Sequence, residues 1–175
     1  MGQAGRETVD AVIEALERAP NVVIPLVRQA PADTLMRRPS LRKWSIHEHA
    51  CHLAEVHPLM LQRLTMMLSD PDPFIRSYDP GRNDPDDRLL RLDLGDAMRR
   101  YARDRAALVA QLRPLTDSEW QKTARHDEYN SYSVFTMFRH LALHDFFHAY
   151  RIEELLLTRD WPPPINEFEL DQITQ

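Results

Sequence analysis

Three histidines have the residue type and the spacing of a metal-ligand set. His144 and His148 belong to the string H-D-F-F-H, and an i, i+4 separation places both imidazoles on one helix face, one turn apart. His52 lies far upstream in the string H-L-A-E. If the two helices pack together, three neutral imidazoles can converge on one divalent ion and leave a coordination position open. An open position distinguishes a site that binds a ligand or performs chemistry from a closed structural site.

Other residues are weaker candidates for metal ligands. His140 lies one turn before His144, but it drifts off the apolar stripe that carries the histidine pair. The string H-E-H-A-C-H departs from the H-E-x-x-H zinc motif, because Cys51 stands where the second histidine is required. We assign Glu48 to a helix cap and Cys51 to a helix face turned away from His52. A buried histidine network, hydrogen-bonded with water and free of metal, is the alternative interpretation of the pair.

The helix that carries His52 is the second of four, and the residues before it form a start signal. Ser45 and Glu48 have the spacing of a capping box, and Trp44 precedes the cap, where it can pack on His49. The helix is predicted from 46 to about 68. His49 shares a broad face with His52, whereas the other two histidines of this helix, His47 and His57, are predicted to be solvated.

The first predicted helix begins near Glu7, where a 3–4 spaced apolar stripe starts. Pro20 lies in this stripe and is predicted to interrupt the helix, because proline removes a backbone donor and clashes with the preceding turn. Asn21 then caps a short continuation. Pro25 is tolerated in that continuation because it falls within the first turn.

Two further helices complete the set. The third is predicted over 94–112, with apolar residues inward and an arginine-rich outer face. A capped turn over 116–120 follows it. The fourth helix runs from about 133 to 157 and carries the histidine pair on its inward stripe.

The segment 69–87 separates the second and third helices. It is rich in proline and aspartate, so we expect no regular structure there. A loop of this length can cross the end of a bundle, so the two flanking helices need not be antiparallel neighbours. Arg76 or Arg82 can cover the cleft and contact an anionic thiol cofactor, but a solvated charged loop is the favoured interpretation.

These patterns predict an all-α fold, a four-helix bundle with a long crossover loop between helices two and three. The sequence has no internal repeat and no alternating strand pattern. A length of 175 residues suits a single domain over 1–175, in which 165–175 is predicted to form a loose tail.

The bulk composition narrows the choice of partners. The formal net charge is -5, which argues against binding nucleic acid through bulk positive charge. No apolar run approaches the roughly 20 residues that a membrane span needs, and the first residues lack a secretory signal pattern. Cys51 is the only cysteine, which excludes an internal disulfide and fits a cytoplasmic location. We therefore expect a small-molecule substrate or thiol as partner, and neither nucleic acid nor a membrane.

Three motifs occur in a fixed order along the chain: K-W-S at 43–45, H-L-A-E at 52–55, and H-x3-H with Asp145 in the last helix. Together they resemble the DinB-like superfamily of four-helix-bundle proteins, which includes transferases and isomerases that depend on bacillithiol or mycothiol. The resemblance spans nearly the whole chain. It implies a homodimer and a bound divalent metal, commonly nickel or zinc. By position, the ligands of that metal would be His52, His144 and His148.

The resulting hypothesis is a metal-dependent enzyme of the thiol S-transferase type. The cation lowers the pKa of a water or a low-molecular-weight thiol in the open position, which gives a nucleophile near neutral pH. Glu55, three residues after His52, is the candidate catalytic residue, although a solvated, salt-bridged glutamate fits its position equally well. The alternatives are a metal-dependent hydrolase, a non-catalytic or stress-related dimeric metal-binding scaffold, and a helical interaction module without metal.

Overall fold

Four long helices form the frame of the protein, as the sequence predicts. The computed structural model describes residues 5–40, 43–78, 85–159 and 161, with the backbone alone for 85 and 86. The predicted tail over 165–175 lies outside these residues. None of the helices in the described part is both long and apolar enough to cross a bilayer. The long helices are α1 (Arg6–Arg28), α2 (Ile46–Ser69), α3 (Leu94–Leu112) and α5 (Val134–Leu157), and the single-turn α4 (Asp117–Trp120) precedes the last of them.

The start of α2 is fixed by the predicted capping box. The hydroxyl of Ser45 accepts a hydrogen bond from the backbone N–H of Glu48, and the Glu48 side chain accepts one from the backbone N–H of Ser45. Arg38 Nε donates to Glu48 Oε2 at 2.9 Å, which compensates the charge of this buried carboxylate. Trp44 packs on His49 as predicted, with 5.5 Å between the ring centroids. These contacts fix the turn from which the histidines of α2 project.

The predicted interruption of the first helix at Pro20 is wrong. α1 continues through this proline, and Asn21 is an internal helical residue instead of a cap. The fixed φ of proline is itself helical, so the penalty is one lost hydrogen bond and local crowding. Leu16, Ala19 and Val23 flank the proline and have 0% exposure. Packing of this uninterrupted apolar stripe outweighs the local defect, since tertiary contacts supply most of a helix's stability.

The four long helices follow an up, down, down, up course. The buried residues form two clusters, one toward each end of the bundle. One cluster contains the first halves of α2 and α3 with the second halves of α1 and α5, and the other contains the opposite halves of the same helices. α2 and α3 are therefore parallel neighbours, and Arg100 Nη2 donates to Glu55 Oε1 between them at 2.9 Å. The ring order of packing is α1, α5, α2, α3. The chain must return along the bundle between α2 and α3, which confirms the long crossover connection.

A small three-stranded sheet that is not apparent from the sequence lies beside the bundle. Its strands are β1 (Phe74–Ile75), β2 (Thr123–His126) and β3 (Tyr132–Ser133). β1 pairs with β2 in parallel, and β2 pairs with β3 antiparallel. β1 lies in the segment 69–87, and a 3₁₀ helix (Pro85–Arg91) begins at the end of that segment. The expectation of no regular structure there is therefore wrong, because strands this short leave no alternating pattern and depend on distant partners.

The prediction that His47 and His57 are solvated is also wrong. Their exposed fractions are 5% and 6%. His47 Nε2 lies 3.1 Å from the carbonyl oxygen of Leu89 and is the donor in that pair, whereas His57 Nδ1 is buried without a hydrogen-bond partner. The 3₁₀ helix and α3 cover this side of α2. The outer face of α3 is likewise less open than predicted, because Arg105 is only 1% exposed.

We expect His57 to make the stability of the metal-free protein depend on pH. Burial, and then the nearby Arg105, hold the pKa of His57 below its ordinary value of 6.5. Its stabilising contribution is therefore fully present above the unfolded-state pKa. It is lost as the pH falls through the folded-state pKa, because the unfolded chain takes up the proton more readily. Between about pH 7 and pH 5, the unfolding free energy of His57→Leu should fall less than that of the wild type, by up to about 2 kcal/mol.

Urea denaturation at the two pH values, in the presence of a chelator, measures this difference. Leu108→Ala is the control, because it removes fully buried apolar contacts of α3 without removing a titratable group. Equal losses of stability in the wild type and in His57→Leu would contradict the prediction.

Candidate metal centre

The three predicted metal ligands come together between α2 and α5. Nε2 of His144 lies 3.0 Å from Nε2 of His52 and 3.1 Å from Nε2 of His148. The potential ligand atoms of the three residues all lie within 4.8 Å of one another. The antiparallel packing of α2 against α5 sets the first half of one helix opposite the second half of the other, and this produces the cluster. Three imidazole nitrogens at this separation can hold a divalent metal ion.

The contacts among these nitrogens fit a cation better than a hydrogen-bonded network. A neutral imidazole nitrogen carries either a proton or a lone pair. Nε2 of His144 therefore cannot form well-directed hydrogen bonds with both of its neighbours. If a cation lies among the three residues, each Nε2 can present its lone pair and no contact is left unsatisfied.

His49 is a fourth member of the cluster, although it was not among the predicted ligands. Its Nδ1 lies 2.8 Å from Nδ1 of His148. For the Nε2 lone pair of His148 to face the other two ligands, Nδ1 of His148 must carry the proton and donate it to His49. His49 thus orients the ring of His148 and fixes its tautomer, the role that hydrogen-bond acceptors commonly have behind metal-binding histidines. The sequence shows His49 on the same broad face as His52, but only the packing of α5 reveals its partner.

Burial keeps His49, His52 and His148 in the neutral form that metal binding requires. It lowers the pKa of His49 to about 4 and the pKa of His52 to about 3, and it holds the pKa of His148 far below its ordinary value. Trp44 provides much of this cover. Its ring centroid lies 4.8 Å from that of His52 and 5.9 Å from that of His148.

A cavity of about 450 Å³ opens beside the histidines. Apolar residues of α2 and α5 line its middle, and the β2–β3 hairpin contributes aromatic rings. Ser77 and Tyr78 also line it, so the segment 69–87 contributes to the cleft instead of being wholly solvated. The side chain of Arg76 is exposed, and Arg82 lies outside the described residues. Pockets of this size are typical of small-molecule sites.

Comparison with known proteins agrees with the fold. Residues 15–152 match the model of the DinB superfamily. The chain belongs to the DinB superfamily. Among solved structures it is similar to YfiT from Bacillus subtilis, described as "a probable metal-dependent hydrolase with an unusual four-helix bundle topology". The TM-score is 0.80 at 21% sequence identity, and the match covers 89% of each chain. A comparison with curated proteins finds no match.

Glu55, the predicted catalytic residue of this DinB-superfamily protein, takes part in two ion pairs. Its carboxylate accepts hydrogen bonds from Arg88 Nη1 at 2.7 Å and from Arg100 Nη2 at 2.9 Å. Partial burial acts to raise the pKa of Glu55, but the hydrogen bonds from the two arginines lower it overall. Within the described part of the chain, Glu55 does not line the cavity beside the histidines. Its direct role in catalysis stays a prediction.

Asp145 is turned away from the histidine pair, as expected, but it is fully buried. Its carboxylate lies 2.7 Å from Arg105 Nη2 and accepts a hydrogen bond from the Tyr101 hydroxyl at 3.1 Å. Its Oδ1 is 3.8 Å from Nδ1 of His144, which is beyond hydrogen-bond distance. Asp145, Arg105 and Tyr101 form a polar cluster that joins α3 to α5 next to the candidate metal centre.

We expect His49→Phe to weaken metal binding without abolishing it. The substitution removes the acceptor for Nδ1 of His148, and the loss of such a partner typically lowers metal affinity about 10- to 100-fold. Calorimetric titration of metal-free protein with zinc measures the change. His47→Gln is the matched control, because His47 contacts Leu89 instead of the cluster. An unchanged zinc affinity in His49→Phe would show that His49 does not orient His148.

Proposed function

We propose that this DinB-superfamily protein is a divalent-metal-dependent enzyme in which His52, His144 and His148 hold zinc or nickel. The observation that carries the proposal is the convergence of three imidazole nitrogens at the wall of a cavity of about 450 Å³. Three protein ligands leave a coordination position free, and the adjoining cavity gives a small molecule access to it.

The residues around the site have complementary tasks. The bound cation supplies a Lewis acid that lowers the pKa of a water or thiol beside it. His49 accepts the Nδ1 proton of His148 and keeps the Nε2 lone pair available. Trp44 covers one side of the imidazoles and excludes water there. The neighbouring cavity orients the second reactant, which makes the reaction effectively intramolecular.

We propose transfer of a low-molecular-weight thiol to an electrophilic substrate as the reaction. Glu55 is held by two arginines and does not line the cavity, so a mechanism that uses it as general base is disfavoured. A thiol needs no separate base once a cation has lowered its pKa. The resemblance of the sequence motifs to thiol-dependent family members supports the same reaction.

Metal-dependent hydrolysis is the second candidate. It is supported by the structural similarity to YfiT, which is described as a probable metal-dependent hydrolase. Water in the open position would then be the nucleophile, because a cation can bring the pKa of a bound water close to neutral.

The test compares the two reactions in zinc-loaded and nickel-loaded protein. Consumption of bacillithiol, mycothiol or glutathione is measured against aryl halide and epoxide electrophiles, and hydrolysis is measured with ester and amide substrates. We expect thiol consumption that is lost in His144→Ala and kept in His47→Gln, because His47 contacts Leu89 and does not line the cavity. Ester or amide hydrolysis without thiol consumption would select the hydrolase. Stoichiometric metal binding without either activity would select the stress-related or otherwise non-catalytic scaffold.

A homodimer and a cytoplasmic location complete the proposal. The homodimer is supported by the family resemblance, and light scattering coupled to size-exclusion chromatography tests it. The cytoplasmic location is supported by the single cysteine. Cys51 is buried and unpaired, and burial raises the pKa of its thiol to about 12. Such a thiol is not a competing nucleophile in the proposed reaction.

A further inference from the structure

Arg63 is a buried cation at the end of the cavity away from the metal centre. It lies on the same face of α2 as His52 and Val56, eleven residues after His52, which is a rise of about 16 Å along the helix. Its exposed fraction is 8%, and it lines the cavity together with the histidines. The cavity therefore has a permanent cation at one end and the candidate metal ligands at the other.

The charge of Arg63 has no carboxylate partner among the described residues. One hydrogen bond is formed, from Nη2 to the carbonyl oxygen of Arg76, although a guanidinium has five N–H donors. The charge of Asp127 acts on Arg63, but the two side chains form no ion pair. Ser77 donates to both Asp127 carboxylate oxygens, from its backbone N–H at 2.9 Å and from its hydroxyl at 3.2 Å. Glu128 lines the cavity but is exposed and forms no ion pair with Arg63.

A buried cation without a counter-ion is costly, because arginine does not lose its proton at neutral pH. Burial lowers the pKa of Arg63, and only the milder influence of Tyr132 and Asp127 opposes it. An anion that enters the cavity would neutralise the charge of Arg63 and offset the cost of its burial. The planar fork of the guanidinium matches the two oxygens of a carboxylate.

Aromatic rings form a wall of the cavity near the sheet. Tyr129 and Tyr132 are stacked, with 5.8 Å between their centroids and 7° between their planes. The ring of His126 lies 4.6 Å and 4.7 Å from these two rings, and His140 meets both from α5. Such a wall favours a flat or aromatic ligand body, because ring contacts contribute beyond the apolar area that they bury.

We propose that this cavity binds an elongated small molecule with a carboxylate at one end and an aromatic body. Arg63 binds the carboxylate, Tyr129 and Tyr132 contact the aromatic body, and the opposite end of the ligand points toward His52 and His144. The orientation of the reacting end rests on the proposed function, whereas the carboxylate site at Arg63 does not depend on the metal.

The test uses three matched probes: 4-phenylbutyrate, its uncharged amide, and butyrate, which lacks the ring. Calorimetry on the wild-type protein should show that 4-phenylbutyrate binds at least about 10-fold more tightly than either of the others. Arg63→Gln should abolish the preference for the acid over the amide, whereas Arg76→Gln, which removes only an exposed neighbouring charge, should keep it. His148→Ala, which lacks the proposed metal site, should also keep it.

Three calorimetric results would overturn the proposal: no binding of 4-phenylbutyrate, equal binding of acid and amide, or an acid preference that survives Arg63→Gln. A preference that survives Arg63→Gln but is lost in His148→Ala would place the carboxylate on the metal and leave the proposed function intact. An NMR titration of the wild type that follows arginine Nε–H signals reports the contact without any substitution. An unperturbed Arg63 signal at saturation would also overturn the proposal.

Discussion

His148→Ala is expected to abolish stoichiometric binding of zinc or nickel. The substitution leaves two imidazoles, and it also removes the ring that His49 orients. Elemental analysis of untagged protein, after loading and removal of excess metal, should find about one ion per wild-type chain and only traces in the variant. His140→Ala is the matched control, because His140 lies one turn before His144 and lines the same cavity but contacts the aromatic wall.

Thermal unfolding gives an independent measure of the same effect. A metal present at 100 times its dissociation constant stabilises the wild type by about 2.7 kcal/mol, which corresponds to a rise in Tm of roughly 5–10 °C for a chain of this size. The Tm of His148→Ala should not respond to added metal, whereas that of His140→Ala should respond like the wild type. An equal metal-induced rise in His148→Ala would exclude His148 as a ligand.

Arg105→Met is expected to destabilise the fold by about 3–5 kcal/mol, because it leaves the Asp145 carboxylate buried without its cation. The side chains of Arg105 and Asp145 have exposed fractions of 1% and 0%, so water cannot replace the lost partner. Tyr101 keeps its single hydrogen bond to Asp145, which compensates a buried charge only in part. The expected loss corresponds to a fall in Tm of roughly 6–20 °C.

A double-mutant cycle shows whether the charge imbalance is the cause. Arg105→Met combined with Asp145→Asn removes both charges with little change in side-chain volume, so that no uncompensated charge stays buried. The double variant should therefore be more stable than Arg105→Met alone in urea denaturation. The prediction is contradicted if the losses of unfolding free energy in the two single variants simply add in the double variant. It is also contradicted if Arg105→Met changes the unfolding free energy by less than about 1 kcal/mol.

The sequence predicts the elements of this fold well where the signals are local. The predicted bounds of α3, 94–112, coincide with the observed ones. Residue spacing also predicts the capping box of α2 and the helical turn that carries Trp120, and both are present. The convergence of His52 with His144 and His148 was predicted as a possibility, and the packing of α2 against α5 realises it. Periodicity, capping and turn residues act within a few positions of one another, so a single sequence contains them.

The features that escaped prediction depend on contacts between distant segments. His57 is buried because α3 packs beside α2, and β1 exists because β2 supplies its partner. His49 has its role because α5 brings Nδ1 of His148 beside it. Arg63 looks like a solvated helix residue in the sequence, and the segment after β1 encloses it. Tertiary packing determines the burial and the partners of each of these residues, and a short stretch of sequence contains no signal of that packing.

The separation of the ligands along the chain has a consequence for how the protein matures. His52 and His144 are 92 positions apart, and α5, which carries His144 and His148, follows the other three long helices of the described residues. A nascent chain that emerges from the ribosome with α2 alone offers a metal ion no complete site. Capture of an ion at the proposed site would therefore require α5 to be packed on α2, and a bound ion would tie together two segments that lie far apart in the sequence.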